Sequence, residues 1–288
     1  MHDHDDPTRR TRRTEAPPSG FDPLLADREE LAGYGIPLRP DPHASPGLAA
    51  LWDRQARRYR SFDHLPAEAP VEASAGRLEE AAQPGTARLA PLEHCGYSLT
   101  SLGAPFTALF VTWTVPNLRS VPSPGGAPLR FRTFVGLGFL DVHVEMTVDA
   151  NHSVTATVTA LGVPDVGLPV QPGDVISGSV CLNTKPPGRA TYVVANETRG
   201  QTVNFGFDSH FPPAVRVEAG VARGLDHGPS TPLAQFGVVY FDEISAYTTA
   251  GSRSLMDGQA VTMVGQDGST LARPFRLNDF GFKVVHSG

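Results

Sequence analysis

The feature that most constrains this sequence is the alternation of apolar and polar residues at every second position within short segments. Between Phe139 and Asp149, valines and Met146 alternate with charged or polar residues. Successive side chains of a β-strand point to opposite faces of the sheet, so this pattern predicts a strand with one buried face and one polar face.

Similar segments recur along the chain and are separated by turns rich in Pro, Gly, Asp and Asn. The predicted strands are Phe106–Pro116, Phe139–Asp149, Val154–Ala160, Val175–Leu182, Ala190–Ala195, Thr202–Phe207, Ala214–Ala219, Gly237–Phe241, Ala260–Val264 and Phe280–His286. No helical period appears between them, and about ten strands at this spacing are typical of a sandwich. We therefore expect an all-β, two-sheet antiparallel β-sandwich (jelly roll) over residues 93–288.

The first 92 residues have a different composition. Prolines recur through the first fifty residues and divide them into short extended pieces. A short helix is predicted within residues 23–34, and a better one from Ser45, with Pro46 in its first turn, to about Arg60. Residues 65–91 are rich in Ala, Glu and Pro, which is typical of a linker. We expect a partly helical, partly disordered segment that is separable from the sandwich.

Charge and hydropathy exclude two classes of partner. The net charge of -6 gives no basic surface for nucleic acid, and no apolar run approaches the roughly 20 residues of a membrane helix. No export signal is visible, so the cytoplasm is the default expectation, with export by another route left open. On the same ground Cys95 and Cys181 are expected to be free thiols. The oligomeric state is not predicted.

Six strings occur in one order along the predicted sandwich. They are Trp113-Thr-Val-Pro-Asn, Phe134-Val-Gly-Leu-Gly, Pro172-Gly-Asp-Val-Ile, Asn196-Glu-Thr-Arg-Gly, Val217-Glu218 and Leu233-Ala-Gln-Phe-Gly-Val-Val-Tyr-Phe. Their order and spacing resemble the glutamic peptidases (eqolisins, the peptidase A4 family). Upstream, the string Tyr34-Gly-Ile-Pro-Leu-Arg-Pro-Asp-Pro, followed by a Leu-Trp helix, is similar to a leader of the bacterial branch. The resemblance implies a concanavalin-A-like fold, acid endopeptidase activity on peptide or protein substrates, and no cofactor.

The resemblance also implies an active site on a concave sheet. In the family, a glutamate acts as general base towards a water and then as acid towards the leaving amine, while a glutamine orients the water and polarises the carbonyl. Glu218 stands at the glutamate position and Glu145 at the glutamine position. His143, Thr147 and Arg216 share the polar strand faces with these two acids, and we predict that they bind substrate. Glu145 and Glu218 are expected on neighbouring strands.

Other positions depart from the family pattern. Ser101 matches a family tryptophan, Gly138 matches a family aspartate, and Ala160-Leu-Gly-Val-Pro replaces an aromatic wall. Two hypotheses therefore stay open. The first is an acid endopeptidase in which two carboxyls share one proton. The second is an inactive sandwich, a pseudoenzyme, that binds a peptide or a saccharide in its groove or serves as a structural module.

A metal site on the same polar strand face is a further alternative. Asp141, His143 and Glu145 are spaced two residues apart, so their side chains share one face of the predicted strand in the manner of metal ligands. No ligand from a second strand accompanies them. We therefore expect no metal.

Overall fold

The computed structural model describes residues 10–12, 15–67, 93–160, 163–185, 188–208, 211–224 and 230–288. Its helices are α1 (Arg28–Gly33), α2 (Pro46–Tyr59) and two short 3-10 helices, Pro124–Gly126 and Leu255–Asp257. In chain order its strands are β1 (Arg10–Arg12), β2 (Asp63–Leu65), β3 (His94–Thr100), β4 (Phe106–Thr114), β5 (Leu129–Leu137), β6 (Leu140–Val148), β7 (Val154–Ala160), β8 (Val175–Asn183), β9 (Arg189–Asn196), β10 (Gln201–Asp208), β11 (Arg216–Arg223), β12 (Val238–Thr248), β13 (Gly251–Arg253), β14 (Gln259–Val261), β15 (Met263–Val264), β16 (Thr270–Asn278) and β17 (Gly281–His286).

The described strands pair into two sheets. The larger sheet has the order β1-β10-β9-β8-β4-β12-β17-β16-β15, with β2 beside β10 and β13 beside β12. The smaller sheet has the order β14-β3-β11-β5-β6-β7. The inner faces of both sheets contribute to one hydrophobic core. The predicted all-β, two-sheet sandwich is confirmed.

Trp113 joins the two sheets at the centre of this core. Its indole Nε1 on β4 donates a hydrogen bond of 2.9 Å to the Thr133 hydroxyl on β5, in the opposite sheet. Gly178 on the neighbouring β8 leaves room for the ring, because a Cβ there would lie 3.1 Å from the indole. The buried N–H is therefore satisfied across the sandwich.

Every predicted strand corresponds to a strand of the structure, but three longer strands were not predicted. β3 contains Gly96, and β16 contains Pro274 and is largely exposed, so neither shows a strong apolar run. β5 does alternate at its start, where Arg130 and Arg132 flank Phe131, although it is not among the predicted strands. This omission affects the site, because β5 lies between β11 and β6.

The N-terminal segment packs on the outer face of the larger sheet. Both predicted helices are present, and Pro46 begins α2. Tyr59 at the end of α2 is buried against Val193 and Ala195, and its hydroxyl lies 2.7 Å from the Ser177 hydroxyl. β2 then pairs in parallel with β10. Residues 68–92, which hold most of the predicted linker, lie outside the described residues, and the domain boundary near residue 93 stays a prediction.

The two cysteines are free, as predicted. Cys95 lies on β3 in the smaller sheet and Cys181 on β8 in the larger sheet, so they belong to opposite layers. Burial raises the pKa of the Cys181 thiol to about 11 and that of the Cys95 thiol to about 12. Both therefore stay protonated at neutral pH. No helix of the described residues is long and apolar enough to cross a membrane.

Candidate functional site

The register of three strands places two acids in one row on the outer face of the smaller sheet. A two-residue turn, Gly138-Phe139, joins β5 to β6, and Gly138 adopts the positive φ of 66° that such a turn requires. This turn sets Gly136 opposite Asp141, and β11 sets Glu218 opposite Gly136. Since adjacent strands lie about 4.8 Å apart, the Cα atoms of the two acids are about 10 Å apart, with no side chain between them.

Glu218 is the buried acid of this row, with only 12% of its side chain exposed. Arg216 Nε lies 3.3 Å from Glu218 Oε2, and its Nη2 lies 3.5 Å from Oε1. The Glu218 side chain also lies on Gly136, where an added Cβ would come within 3.3 Å of its Cγ. Burial raises the pKa of Glu218, and the charge of Asp141 adds to this effect. Together they outweigh the lowering by Arg216 and Arg132.

Asp141 is the more open acid, with 36% of its side chain exposed. The ring of His143 is buried beside it, and Nδ1 lies 3.0 Å from Asp141 Oδ2. On its other side, His143 Nε2 contacts the hydroxyl of Thr159 on β7. In the tautomer with the proton on Nδ1, the imidazole donates a hydrogen bond to the Asp141 carboxylate and accepts one at Nε2 from the Thr159 hydroxyl.

Arg132 brings a buried positive charge to the same face. The residue is 7% exposed, and its guanidinium carbon lies 5.8 Å from the centroid of the Phe134 ring. The side chain therefore extends along β5 towards the row that holds Glu218 and Asp141. Burial lowers the pKa of Arg132, and the carboxylates of Asp141, Glu145 and Glu218 oppose that effect.

Glu145 lies on the same sheet and the same face as Glu218, but the prediction of neighbouring strands is wrong. β5 separates β6 from β11. Glu145 is also four residues along β6 from Asp141, which is about 14 Å at the rise of a strand. Its Oε1 lies near Gly224, where an added Cβ would be 2.8 Å away, beyond the end of β11. The structure thus brings Asp141, rather than Glu145, into the row of Glu218.

The three predicted substrate-binding residues fall in different places. Arg216 contacts Glu218, and His143 contacts Asp141. Thr147 lies opposite Arg130, two positions beyond Glu145 and farther from the row. The catalytic and binding roles themselves stay predictions.

The predicted strand places Asp141 on the correct face, but Asp141 and Arg132 are not among the residues predicted to be catalytic or to bind substrate. The signal for both was present in the sequence. Leu129–Leu137 begins with alternating apolar and arginine residues, which marks it as a strand next to β6. That strand and the turn at Gly138 fix the register of β5 with β6, which sets Gly136 opposite Asp141. The pairing of β5 with β11, which adds Glu218, joins distant segments and does not follow from this pattern.

Two of the positions that depart from the family pattern have structural roles here. The Ser101 hydroxyl donates to the carbonyl of Ala104, and Gly138 makes the turn between β5 and β6. Residues 161 and 162, within the stretch matched to the aromatic wall, lie outside the described residues. In the described parts of the chain, no group of three or more His, Cys, Asp or Glu side chains is placed to hold a metal ion.

Comparisons with known proteins agree with the fold. A family model described as the Peptidase A4 family matches residues 93–278. No curated protein matches the sequence. Scytalido-glutamic peptidase, crystallised with a peptide-based transition state analog, is 16% identical with a TM-score of 0.51, over 67% of this chain and 98% of that chain. SCP-B, an eqolisin in a complex with the tripeptide Ala-Ile-His, is 17% identical with the same TM-score and coverage.

Proposed function

This chain belongs to the Peptidase A4 family, and from that premise we propose that it hydrolyses peptide bonds at acidic pH with Glu218 and Asp141 as its acid and base. The observation that carries the proposal is the row in which both acids flank Gly136. Two structural neighbours are in complexes with a peptide-based transition state analog and with a tripeptide, which supports a peptide as the substrate.

The surroundings of the two carboxyls assign their roles. Burial raises the pKa of Glu218, so it keeps its proton to higher pH than an exposed glutamate. Asp141 is more exposed and is bound by His143, which suits an ionised carboxylate. Two titratable groups in such different surroundings can act as general acid and general base in one reaction.

The reaction follows from these roles. Asp141 accepts a proton from a water molecule as the water oxygen bonds to the scissile carbonyl carbon, and the carbonyl oxygen becomes an oxyanion. Glu218 donates its proton to the amide nitrogen as the C–N bond breaks and the oxyanion collapses to a carboxylic acid. The amine leaves with that proton. Asp141 then returns its proton to the solvent, and Glu218 regains one.

A second candidate function is peptide binding without hydrolysis. The observation that favours it is the contact of Arg216 with both oxygens of Glu218, at 3.3 and 3.5 Å. An ion pair of this kind holds a carboxylate in one orientation and stabilises its charged form. If the pair persists at acidic pH, Glu218 cannot deliver a proton, and the site keeps only its binding capacity.

Hydrolysis of a labelled, denatured protein between pH 2 and pH 7 tests the proposal. We expect activity on the acidic side of neutrality, insensitive to chelators, and a loss of about 10²- to 10⁴-fold in Glu218→Gln, the range of general acid–base catalysis. Glu29→Gln is the matched control, because Glu29 is an exposed acid on α1, in the N-terminal segment away from the row. Equal rates for Glu218→Gln and wild type would reject the mechanism. No hydrolysis at any pH, with retained peptide binding, would select the second function.

A further inference from the structure

We infer that Arg132 forms an anion subsite beside Glu218, which binds the oxyanion of the tetrahedral intermediate and then the carboxylate of the product. The oxyanion part rests on the proposed function, whereas the carboxylate part can be tested without hydrolysis. Arg132 lies on β5, the strand between the two acids of the row.

The position of the side chain supports this subsite. Arg132 is more than nine-tenths buried, and its guanidinium extends over Phe134 towards the row of Glu218 and Asp141. Its buried Nε has no hydrogen-bond partner among the described residues. A buried donor without a partner is costly to the folded protein, and a charged donor more so. An anionic oxygen that reaches this position would satisfy the donor.

The surrounding charges explain why the guanidinium remains a cation. Asp141, Glu145 and Glu218 all act on Arg132 electrostatically and favour its charged form. A guanidinium stays protonated in proteins at any pH relevant here. Its N–H groups are arranged in a planar fork that matches a carboxylate, so a product carboxylate is a suitable ligand.

The chemistry of the row requires such a donor. In the family pattern, a neutral glutamine amide polarises the carbonyl, but Glu145 stands at that position here, and the row itself has Asp141. An ionised carboxylate only accepts hydrogen bonds and repels an oxyanion. As the water oxygen bonds to the carbonyl carbon, negative charge moves onto the carbonyl oxygen. Arg132 donates to that oxygen and still holds it after the C–N bond has broken.

Binding of a matched peptide pair tests the subsite directly. The probes are acetyl-Ala-Ala-Ala with a free carboxylate and the same peptide as an amide, titrated calorimetrically into the full chain at pH 5. We expect about tenfold or tighter binding of the carboxylate form, consistent with a charge-assisted hydrogen bond. Arg132→Gln should lose that preference and Arg132→Lys should keep part of it. Arg130→Gln, two residues away on the same face and exposed, should keep it fully.

The kinetic experiment uses the same variants. Arg132→Gln should lower kcat by about 10²- to 10³-fold, with a smaller change in KM, as for removal of an oxyanion donor. Hydrolysis that depends on Glu218 but not on Arg132 would overturn the subsite and leave the proposed function intact. A carboxylate preference that depends on Arg132, in a chain that hydrolyses nothing, would support the subsite and reject the proposed function.

A measurement on the wild-type chain covers the case in which Arg132→Gln does not fold. The Nε–H resonance of Arg132 should shift when the carboxylate peptide is added and stay in place when the amide is added. Equal shifts for both peptides, or none with the carboxylate, would overturn the inference.

Discussion

The outer faces of the two sheets use charged residues in different ways. On the larger sheet, Arg58 of α2 makes two hydrogen bonds of 2.7 and 3.0 Å to Glu243. These charges fix the N-terminal segment in place. On the smaller sheet, Glu218 and Arg132 are more deeply buried, and Arg132 Nε has no hydrogen-bond partner in the described parts of the chain. Buried charged groups that lack some of their hydrogen-bond partners are typical of binding and catalytic sites.

Two glutamates show the difference most clearly, because each has an arginine beside it. Glu243 has 35% of its side chain exposed, and the hydrogen bond from Arg58 lowers its pKa. Glu218 has 12% exposed, and burial raises its pKa although Arg216 is within 3.3 Å. The comparison teaches that a neighbouring arginine does not by itself decide the direction of the pKa shift. The hydrogen bond from Arg58 outweighs burial at Glu243, whereas burial outweighs Arg216 at Glu218.

The largest expected effect concerns the two acids of β6. If the row is the catalytic unit, Asp141→Asn should reduce hydrolysis about 10³-fold, because an amide cannot accept the water proton. Glu145→Gln should reduce it much less, since Glu145 lies outside the row. Steady-state assays of both variants at the optimum pH decide the matter. A larger loss in Glu145→Gln than in Asp141→Asn would support Glu145 as the partner of Glu218, as predicted from the sequence.

On the larger sheet, the expected effect of a substitution is on stability. Trp52 of α2 is 8% exposed, and its Nε1 donates a 2.7 Å hydrogen bond to the carbonyl of Pro37. Trp52→Ala should lower the free energy of unfolding by about 3 kcal/mol, because it removes a large buried side chain. Urea unfolding measures the loss. An unchanged midpoint would mean that the N-terminal segment does not stabilise the sandwich.

A smaller expected effect is on the pH dependence of stability, to which Glu218 on the smaller sheet and Glu243 on the larger sheet should contribute with opposite signs. Since the folded-state pKa of Glu218 is raised, its stabilising contribution is present below the unfolded pKa of about 4.3 and is lost as the pH rises through the folded value. Since the pKa of Glu243 is lowered, its contribution is present above the unfolded pKa and is lost as the pH falls through the folded value.

Urea unfolding of Glu218→Gln and Glu243→Gln between pH 3 and pH 7 tests these opposite signs. Relative to Glu218→Gln, the wild type should lose stability as the pH rises. Relative to Glu243→Gln, it should lose stability as the pH falls. If both stability differences changed with pH in the same direction, the opposite contributions of Glu218 and Glu243 would be contradicted.

The sequence predicted the sandwich well because alternation is a local property. Each valine of β6 is assigned to the inner face by its neighbours alone, and Asp141 and His143 follow on the outer face. The pairing of Glu145 with Glu218 failed because it depends on register between strands. That register is set by the short turn at Gly138 and by β5, which is not among the predicted strands.

The place of the N-terminal segment could not be predicted for a similar reason. The sequence pattern that predicts α2 does not indicate which surface of the sandwich the helix contacts. The contact depends on Tyr59 reaching Ser177, 118 positions away, and on β2 pairing with β10. Contacts between distant parts of the chain leave no periodic pattern in either partner.

Titration of the Glu218 side-chain carboxyl by ¹³C NMR tests most directly whether Glu218 and Asp141 form one coupled unit. In the wild type, its pKa should lie above the ordinary glutamate value of about 4.3. In Asp141→Asn it should fall, because the negative charge that opposes ionisation has been removed. A wild-type pKa at or below the ordinary value, or one that Asp141→Asn leaves unchanged, would contradict the coupling.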